Sequence, residues 1–374
     1  MFSRRLPFVV AGVVLAVLLS VVLASRSHEG APTSSGCPVT ALTCAPGQAD
    51  PPDSTAPAPT TEPPALGGTN APGLHRDPPT TAKATERPKA APGAKPSTGT
   101  TTAAAAVTSG FPDASTTGPR LSMKPHQTGA LTVKTDGTVI SRWDITGSLD
   151  IYANNVTVID SRITSDNWWG INLRSGFSGL RVLHTAITAV PGKGPDNGGV
   201  DYGVSNMGTS SIEVGWCDIS VFGNSLSMGQ GNLHDNFVHD ITPFRNQGGE
   251  WQHTDPVISD GGNTGELIIR HNTLLNNTPV DQGASGSIGL FADTGAVKNV
   301  TVDGNLLAGG AYALYAGGKG SSGIKVSNNV FSTKFHPNSG GYGAVTAWDP
   351  AGAGNEWSNN RMSDGRIVTP QADR

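Results

Sequence analysis

The stretch Leu267–Asn277, LIIRHNTLLNN, decides how the folded half of this chain is read, because its pattern keeps returning. In general form it is φ-x-φ-x-x-N-x-φ, with φ apolar. Seven further copies begin at Val156 (VTVIDSRI), Leu180 (LRVLHTAI), Ile212 (IEVGWCDI), Gly231 (GNLHDNFV), Val300 (VTVDGNLL), Ile324 (IKVSNNVF) and Asn355 (NEWSNNRM). Successive starts lie 19 to 36 residues apart, a period that belongs to repeat architectures.

Apolar residues at positions one and three read as a short strand with one buried face. From the copy at Gly231 onward the sixth position is always Asn: Asn236, Asn272, Asn305, Asn329 and Asn360. Asn tolerates the left-handed conformation that sharp turns need, and its amide can bond to the equivalent Asn one coil away. The five are therefore expected to stack in one buried ladder. A second strand precedes most copies by about ten residues: Asp255–Ser259, Ser287–Phe291, Ala311–Tyr315 and Gly343–Ala347, each followed by a Gly-containing turn. Two or three short strands per turn of roughly 25 residues, without helical periodicity, describe strands that stack on the next coil rather than pair in hairpins. A β-propeller needs about four strands per repeat of ~40 residues or more, which these spacings do not supply.

From about Gly118 to Pro370 these repeats resemble the right-handed parallel β-helix proteins of the pectate-lyase-like superfamily. The expected fold is all-β, a single-stranded right-handed parallel β-helix behind an export segment and a disordered linker. Gly129–Ile151 should form the opening coils, and solenoid ends have to be capped. The resemblance implies action on polysaccharides, mostly acidic ones, lying along a groove formed by one stacked sheet and its flanking loops. It also marks absences. The polygalacturonase-like set N-T-D, D-D, G-H-G and R-I-K is missing, Lys325 lacks the preceding Arg, and no Asp-rich calcium cluster of the pectate-lyase-like spacing is found.

Ahead of the repeats, residues 1–30 read as a signal peptide or signal anchor. Arg4 and Arg5 precede an uncharged stretch from Leu6 to Ser25, long enough to span a bilayer, with small residues at plausible cleavage positions. The protein is expected to be secreted or held on the outer face of the cytoplasmic membrane, touching the membrane only through this segment. Residues 31–117 are dominated by Pro, Thr, Ala, Ser and Gly and cannot bury enough surface to fold. Their removal should leave the melting temperature nearly unchanged.

Cys37 and Cys44 in this linker would oxidise to a small loop in an exported protein. Cys217, at the sixth position of its repeat, reads as a small buried side chain rather than a nucleophile. From Gly118 onward there are 17 Lys and Arg against 22 Asp and Glu, with no basic stripe. Nucleic acid is excluded as a partner on that ground; a polysaccharide or cell-wall glycan is the expected one, and a monomer the expected state.

Two insertions interrupt the repeat, Pro191–Asp201 and Thr242–Asp255. The second carries Arg245, Glu250, Trp251, His253 and Asp255. His253 and Asp255, two apart on a strand, would share one face, the carboxylate orienting the imidazole. Arg245 suits a substrate carboxylate bidentately, Glu250 completes the candidate catalytic set, and Trp251 could stack on a sugar. Trp168, next to Trp169, and Arg174 on the following strand are further substrate-binding candidates. Counting back ten residues from each repeat start makes Val257, Leu290, Leu314 and Val345 inward residues. Ile258, Phe291, Tyr315 and Thr346 would then form an outward row, continued by Asp260, Asp293, Gly317 and Trp348. In that register the Asp260 and Asp293 carboxylates meet, and either share a proton or bind calcium, with Phe291, Tyr315 and Trp348 as sugar-binding aromatics. Two functions follow: a lyase or glycosidase acting on an extended glycan, or a non-catalytic β-helix for carbohydrate binding or adhesion.

Overall fold

The computed structural model describes residues 109–207 and 210–371. The export segment, most of the linker and Cys37 and Cys44 lie outside them. Among the described residues the chain is a parallel β-helix: a nine-stranded and a seventeen-stranded parallel sheet, no α-helix, and one short 3-10 turn at Val280–Gln282.

All eight copies of the repeat fall in register on the nine-stranded sheet, the first face of each coil. Ile212 pairs with Gly231, Gly231 with Leu267, Leu267 with Val300, and Val300 with Ile324. An additional coil precedes them, since Val139–Ser141 pairs with Thr157–Ile159. Its copy, TVISRWDI, hides behind a polar first residue.

The seventeen-stranded sheet contains the other two faces, joined through the long strand Trp143–Ile151. The second face holds Arg162–Ser165, Ala186–Ala189, Asp218–Ser220, Phe237–His239 and Thr273–Asn276, among others. The third holds Trp169–Leu173, Tyr202–Asn206, Asn224–Ser227, Asp255–Ser259, Ile288–Leu290, Tyr312–Ala316 and Gly343–Thr346.

The turn between first and second faces carries the expected ladder. The Nδ2 of Asn236 donates to Asn272 Oδ1 at 2.9 Å, Asn272 to Asn305 at 3.0 Å, Asn305 to Asn329 at 2.9 Å and Asn329 to Asn360 at 2.9 Å. Each backbone N–H from Asn236 to Asn329 donates to the same acceptor at 2.9–3.0 Å. In the earlier coils Ser161, Thr185 and Cys217 fill the slot and bond to carbonyls of the preceding strand. Burial pushes the Cys217 thiol up to about 12, so it is an inert space-filler. The left-handed residue is the fifth position, not the Asn: Asp160, His184, Trp216, Asp235, His271, Asn328 and Asn359 have φ between 45° and 57°. Asn is selected for its amide, and the bend is made one residue earlier.

The fold begins before Gly118. Phe111 stacks on His271 with ring centroids 6.0 Å apart, and Pro112 is buried. Gly118 N–H donates to Trp216 O at 2.8 Å. Arg120 grips Asp160 through Nε at 2.9 Å and Nη2 at 2.8 Å. Residues 109–122 thus form a strap laid across the fifth positions of successive coils, and the last nine residues of the expected linker, 109–117, are structural.

Candidate functional site

The third face departs from strict alternation, and this sets which groups face out. Cβ atoms added to Gly170 or Gly203 would meet Ile187, Ile219 and Phe222 of the core, so the column of small residues Gly170, Gly203, Ser225, Pro256, Ser287 and Ala313 turns inward. The next column, Ile171, Val204, Leu226, Val257, Ile288 and Leu314, is also core. Two inward residues in succession leave outward columns three apart. One runs Trp169, Tyr202, Asn224, Asp255; the other Asn172, Ser205, Ser227, Ile258, Gly289, Tyr315.

Asp255 is the centre of this face. Its side chain is fully buried; Oδ1 accepts the Gly286 N–H at 2.8 Å and Oδ2 has no partner. Burial pushes the carboxyl up to about 8, against the pull of the Gly286 amide and the Ser285 side chain. At neutral pH it is a carboxylic acid, able to donate a proton or a hydrogen bond. Gly289 makes room for it: a Cβ there would sit 2.8 Å from Asp255 Oδ1 and run into the Phe291 ring. Phe291 packs on Tyr315 at 5.1 Å, Tyr315 on Tyr312 at 5.7 Å, and Tyr312 on the exposed Tyr342 at 5.9 Å. Aromatic rings therefore lead away from Asp255 toward the later coils.

Toward the earlier coils the face is polar and unsatisfied. Asn172 is fully buried with neither amide atom hydrogen-bonded, and Ser205 Oγ and Asn224 Oδ1 are likewise without partners. Arg174, an expected substrate ligand, is instead committed: it bonds to Asp150 at 2.8 Å and lies over the Trp169 ring at 4.5 Å. Trp169 is buried and Trp168 half-buried, so Trp168 keeps the more accessible ring.

The two insertions meet beside this face. Asn197 Nδ2 donates to Asn246 O at 2.6 Å and Gln247 Nε2 to Pro195 O at 3.1 Å. Together they enclose a cleft of about 320 Å3 whose walls include Val190, Pro191, Val200, Phe244, Arg245 and Trp251. Asp201 follows Val200 at its edge; burial, then repulsion from Asp196, pushes it up to about 7. Burial and the charges of Asp201, Asp260 and Asp196 raise the Tyr202 hydroxyl as well.

Several expected pairings do not form. His253 is exposed whereas Asp255 is buried, and no hydrogen bond joins them; the strand starts only at Asp255, so alternation does not govern His253. Arg245 stacks on Trp251 at 4.5 Å and donates to Gly249 O at 2.8 Å. Glu250 is exposed, its backbone exchanging hydrogen bonds with Asn246. Arg245, Glu250 and Trp251 thus belong to the insertion and line or support the cleft, apart from the Asp255 carboxyl.

The outward row also shifts. Val257 pairs with Ile288, not Leu290, and Ile258 with Gly289, not Phe291, because the turn after Leu290 is two residues longer than its counterparts. Asp293 consequently stands beyond the row, on an exposed turn, although its charge still adds to burial in raising Asp260. Among the described residues no third His, Cys, Asp or Glu joins them in a metal-binding group. Trp348 is buried and packs on Trp357 at 5.5 Å: Ala347 takes a left-handed φ of 55°, which reverses the alternation and sends Trp348 into the core.

The fold and this face define a parallel β-helix with a protonated carboxyl at the centre of one sheet. No protein-family model matches the sequence, and neither a curated protein nor a solved structure does.

Proposed function

We propose that the protein is an exported carbohydrate-active enzyme of the pectate-lyase-like kind, acting on an extended glycan along the third face with Asp255 as its proton donor. One observation carries this reading: a fully buried carboxyl, held neutral to about pH 8, stands between a row of unpartnered polar side chains and a row of aromatic rings. Sugars present hydroxyls and apolar ring faces together, and these two rows offer a partner to each. A neutral acid suits protonation of a departing sugar oxygen in either hydrolysis or elimination. Residues at the cleft, Arg245 and Trp251 above all, would hold a neighbouring unit, and Asp201 is the second carboxyl available for proton transfer.

The binding reading, a non-catalytic adhesion or wall-binding β-helix, draws on the Phe291–Tyr315–Tyr312–Tyr342 row, which could hold a glycan without chemistry. Incubation of the protein with a panel of uronate-containing and neutral polysaccharides separates the two readings. Unsaturated products mark a lyase and new reducing ends alone a hydrolase; retention of a glycan on the protein with neither product supports binding. Turnover that survives Asp255→Asn removes Asp255 from the mechanism.

A further inference from the structure

The proposed glycan face is bordered by carboxyl groups without a cationic partner among the described residues. Asp196 and Asp201 are buried in the first insertion, Asp255 is buried at the start of its strand, and Asp260 is half-buried just beyond that strand. The ion pairs engage other acids, Asp150, Asp160, Glu213, Asp218 and Asp235 among them. The cations nearby are placed elsewhere: Arg174 pairs with Asp150, Arg245 lies on the Trp251 ring and donates to Gly249 O, and Lys193 is exposed.

Coil-to-coil register brings these groups to one place. Tyr202, Asn224 and Asp255 lie side by side on successive coils, about 4.8 Å from one to the next. Asp201 immediately precedes Tyr202, and Asp260 follows the strand that Asp255 begins. Within this column Asn224 Oδ1 and Asp255 Oδ2 are buried without a hydrogen-bond partner. Burial first, then the charges of Asp201, Asp260 and Asp196, raise the Tyr202 hydroxyl, and Asp260 also adds to the raising of Asp255; like charges gathered around one column act in this way.

The column therefore lacks hydrogen-bond donors and positive charge. We propose, resting on the glycan reading of this face, that its substrate is an amino-sugar glycan with free ammonium groups, held by Asp201 and Asp260 beside the Tyr202–Asn224–Asp255 column. An ammonium brings three N–H donors, no acceptor and the missing charge. A uronate carboxylate, the group expected from the resemblance, brings acceptors to acceptors and a further negative charge to acids already uncompensated. An N-acetylated amine keeps one N–H, loses the charge and adds an acceptor carbonyl. Phe291 and Tyr315, packed together at 5.1 Å beside Asp255, offer ring faces that also favour a cation.

Calorimetric titration of the full chain at pH 6.5 with hexamers of glucosamine, N-acetylglucosamine and galacturonic acid tests the assignment. The glucosamine hexamer should bind about tenfold tighter than its N-acetylated form, and the galacturonic acid hexamer no tighter than that. Raising salt from 50 to 500 mM should cut the glucosamine advantage about threefold or more, and the double variant Asp201→Asn, Asp260→Asn should bring the two glucosamine forms within about twofold of each other. Tyr315→Ala should weaken all three. Equal binding of the three hexamers, weakened by Tyr315→Ala, would overturn the ammonium assignment and leave the glycan face standing. A glucosamine preference that ignores salt, or one that survives both the double variant and Tyr315→Ala and so belongs to another acidic surface, would overturn it as well. Binding of none of the three would overturn the assignment and the glycan reading together.

Discussion

Asn272 and Asn172 are both fully buried, yet they stand in opposite situations. Asn272 sits in the ladder, where its Nδ2 donates to Asn305, Leu233 and Arg270 and its Oδ1 accepts from Asn236. Asn172 lies on the third face with no hydrogen bond to either side-chain atom. A buried polar group left unpaired costs ~1–3 kcal/mol, so the ladder corner returns that cost as stability and the third face leaves it outstanding. Unpaired polar groups, a neutral carboxyl and aromatic rings gathered on one sheet are what the proposed glycan site rests on.

The largest expected effect sharpens this contrast at Asp255. Asp255→Asn keeps the shape and the neutral charge of the protonated acid but cannot give up a proton. Turnover of the glycan found in the panel should fall ~10²–10⁴-fold, with the melting temperature at pH 6 unchanged within a degree or two. A large loss of stability at pH 6 would place Asp255 with the ladder instead.

Next in size is the ladder itself. Asn272→Ala removes the oxygen that accepts from both the Asn236 Nδ2 and the Asn236 backbone N–H, and removes the Nδ2 that donates to Asn305, Leu233 and Arg270; about 3 kcal/mol or more should be lost in denaturant unfolding. Asn172→Ala should cost far less, since no hydrogen bond is broken. Similar losses for the two substitutions would break the comparison.

A smaller effect is the pH dependence of stability. The Asp255 carboxyl has an ordinary value of 3.8 and a folded value near 8, so the folded state binds the proton more tightly than the unfolded chain. Its contribution is fully present below about pH 4 and is lost as pH rises toward 8, as is that of Asp201 up to about 7. Melting temperature should fall between pH 5 and 9, and Asp255→Asn should flatten much of the slope; an unchanged slope would assign the alkaline loss to other groups.

The smallest concerns the strap. A protein beginning at residue 109 should melt with the full-length chain, whereas one beginning at 118 should melt a few degrees lower, having lost the Phe111 and Gly110 contacts with His271. Equal melting of the two would show that residues 109–117 add no stability.

Much of the fold could be read from the residues because each coil buries the same positions. Apolar residues at one and three in most copies, with Asn at six in the last five, located eight coils in correct register, and the two repeat-breaking insertions proved to meet at a cleft. The third face was harder to read because its chemistry depends on turn lengths and backbone signs. Two extra residues after Leu290 moved Phe291 and Asp293 out of the row, and the left-handed Ala347 turned Trp348 inward. Asp255 was singled out for its nearness to His253, whereas its character comes from burial beside Gly289, Phe291 and Tyr315. Tyr202, Asn172 and Ser205 gave no signal, since only the coil-to-coil pairing aligns them. The strap was missed because Phe111 and Pro112 end a stretch whose composition otherwise describes a linker.

The most direct test is the protonation state of Asp255, followed by carboxyl 13C chemical shift against pH in protein labelled at Asp, with Asp255→Asn identifying the resonance. The account predicts a carboxyl that remains protonated at pH 7 and titrates near 8. A resonance already ionised at pH 5 would contradict it.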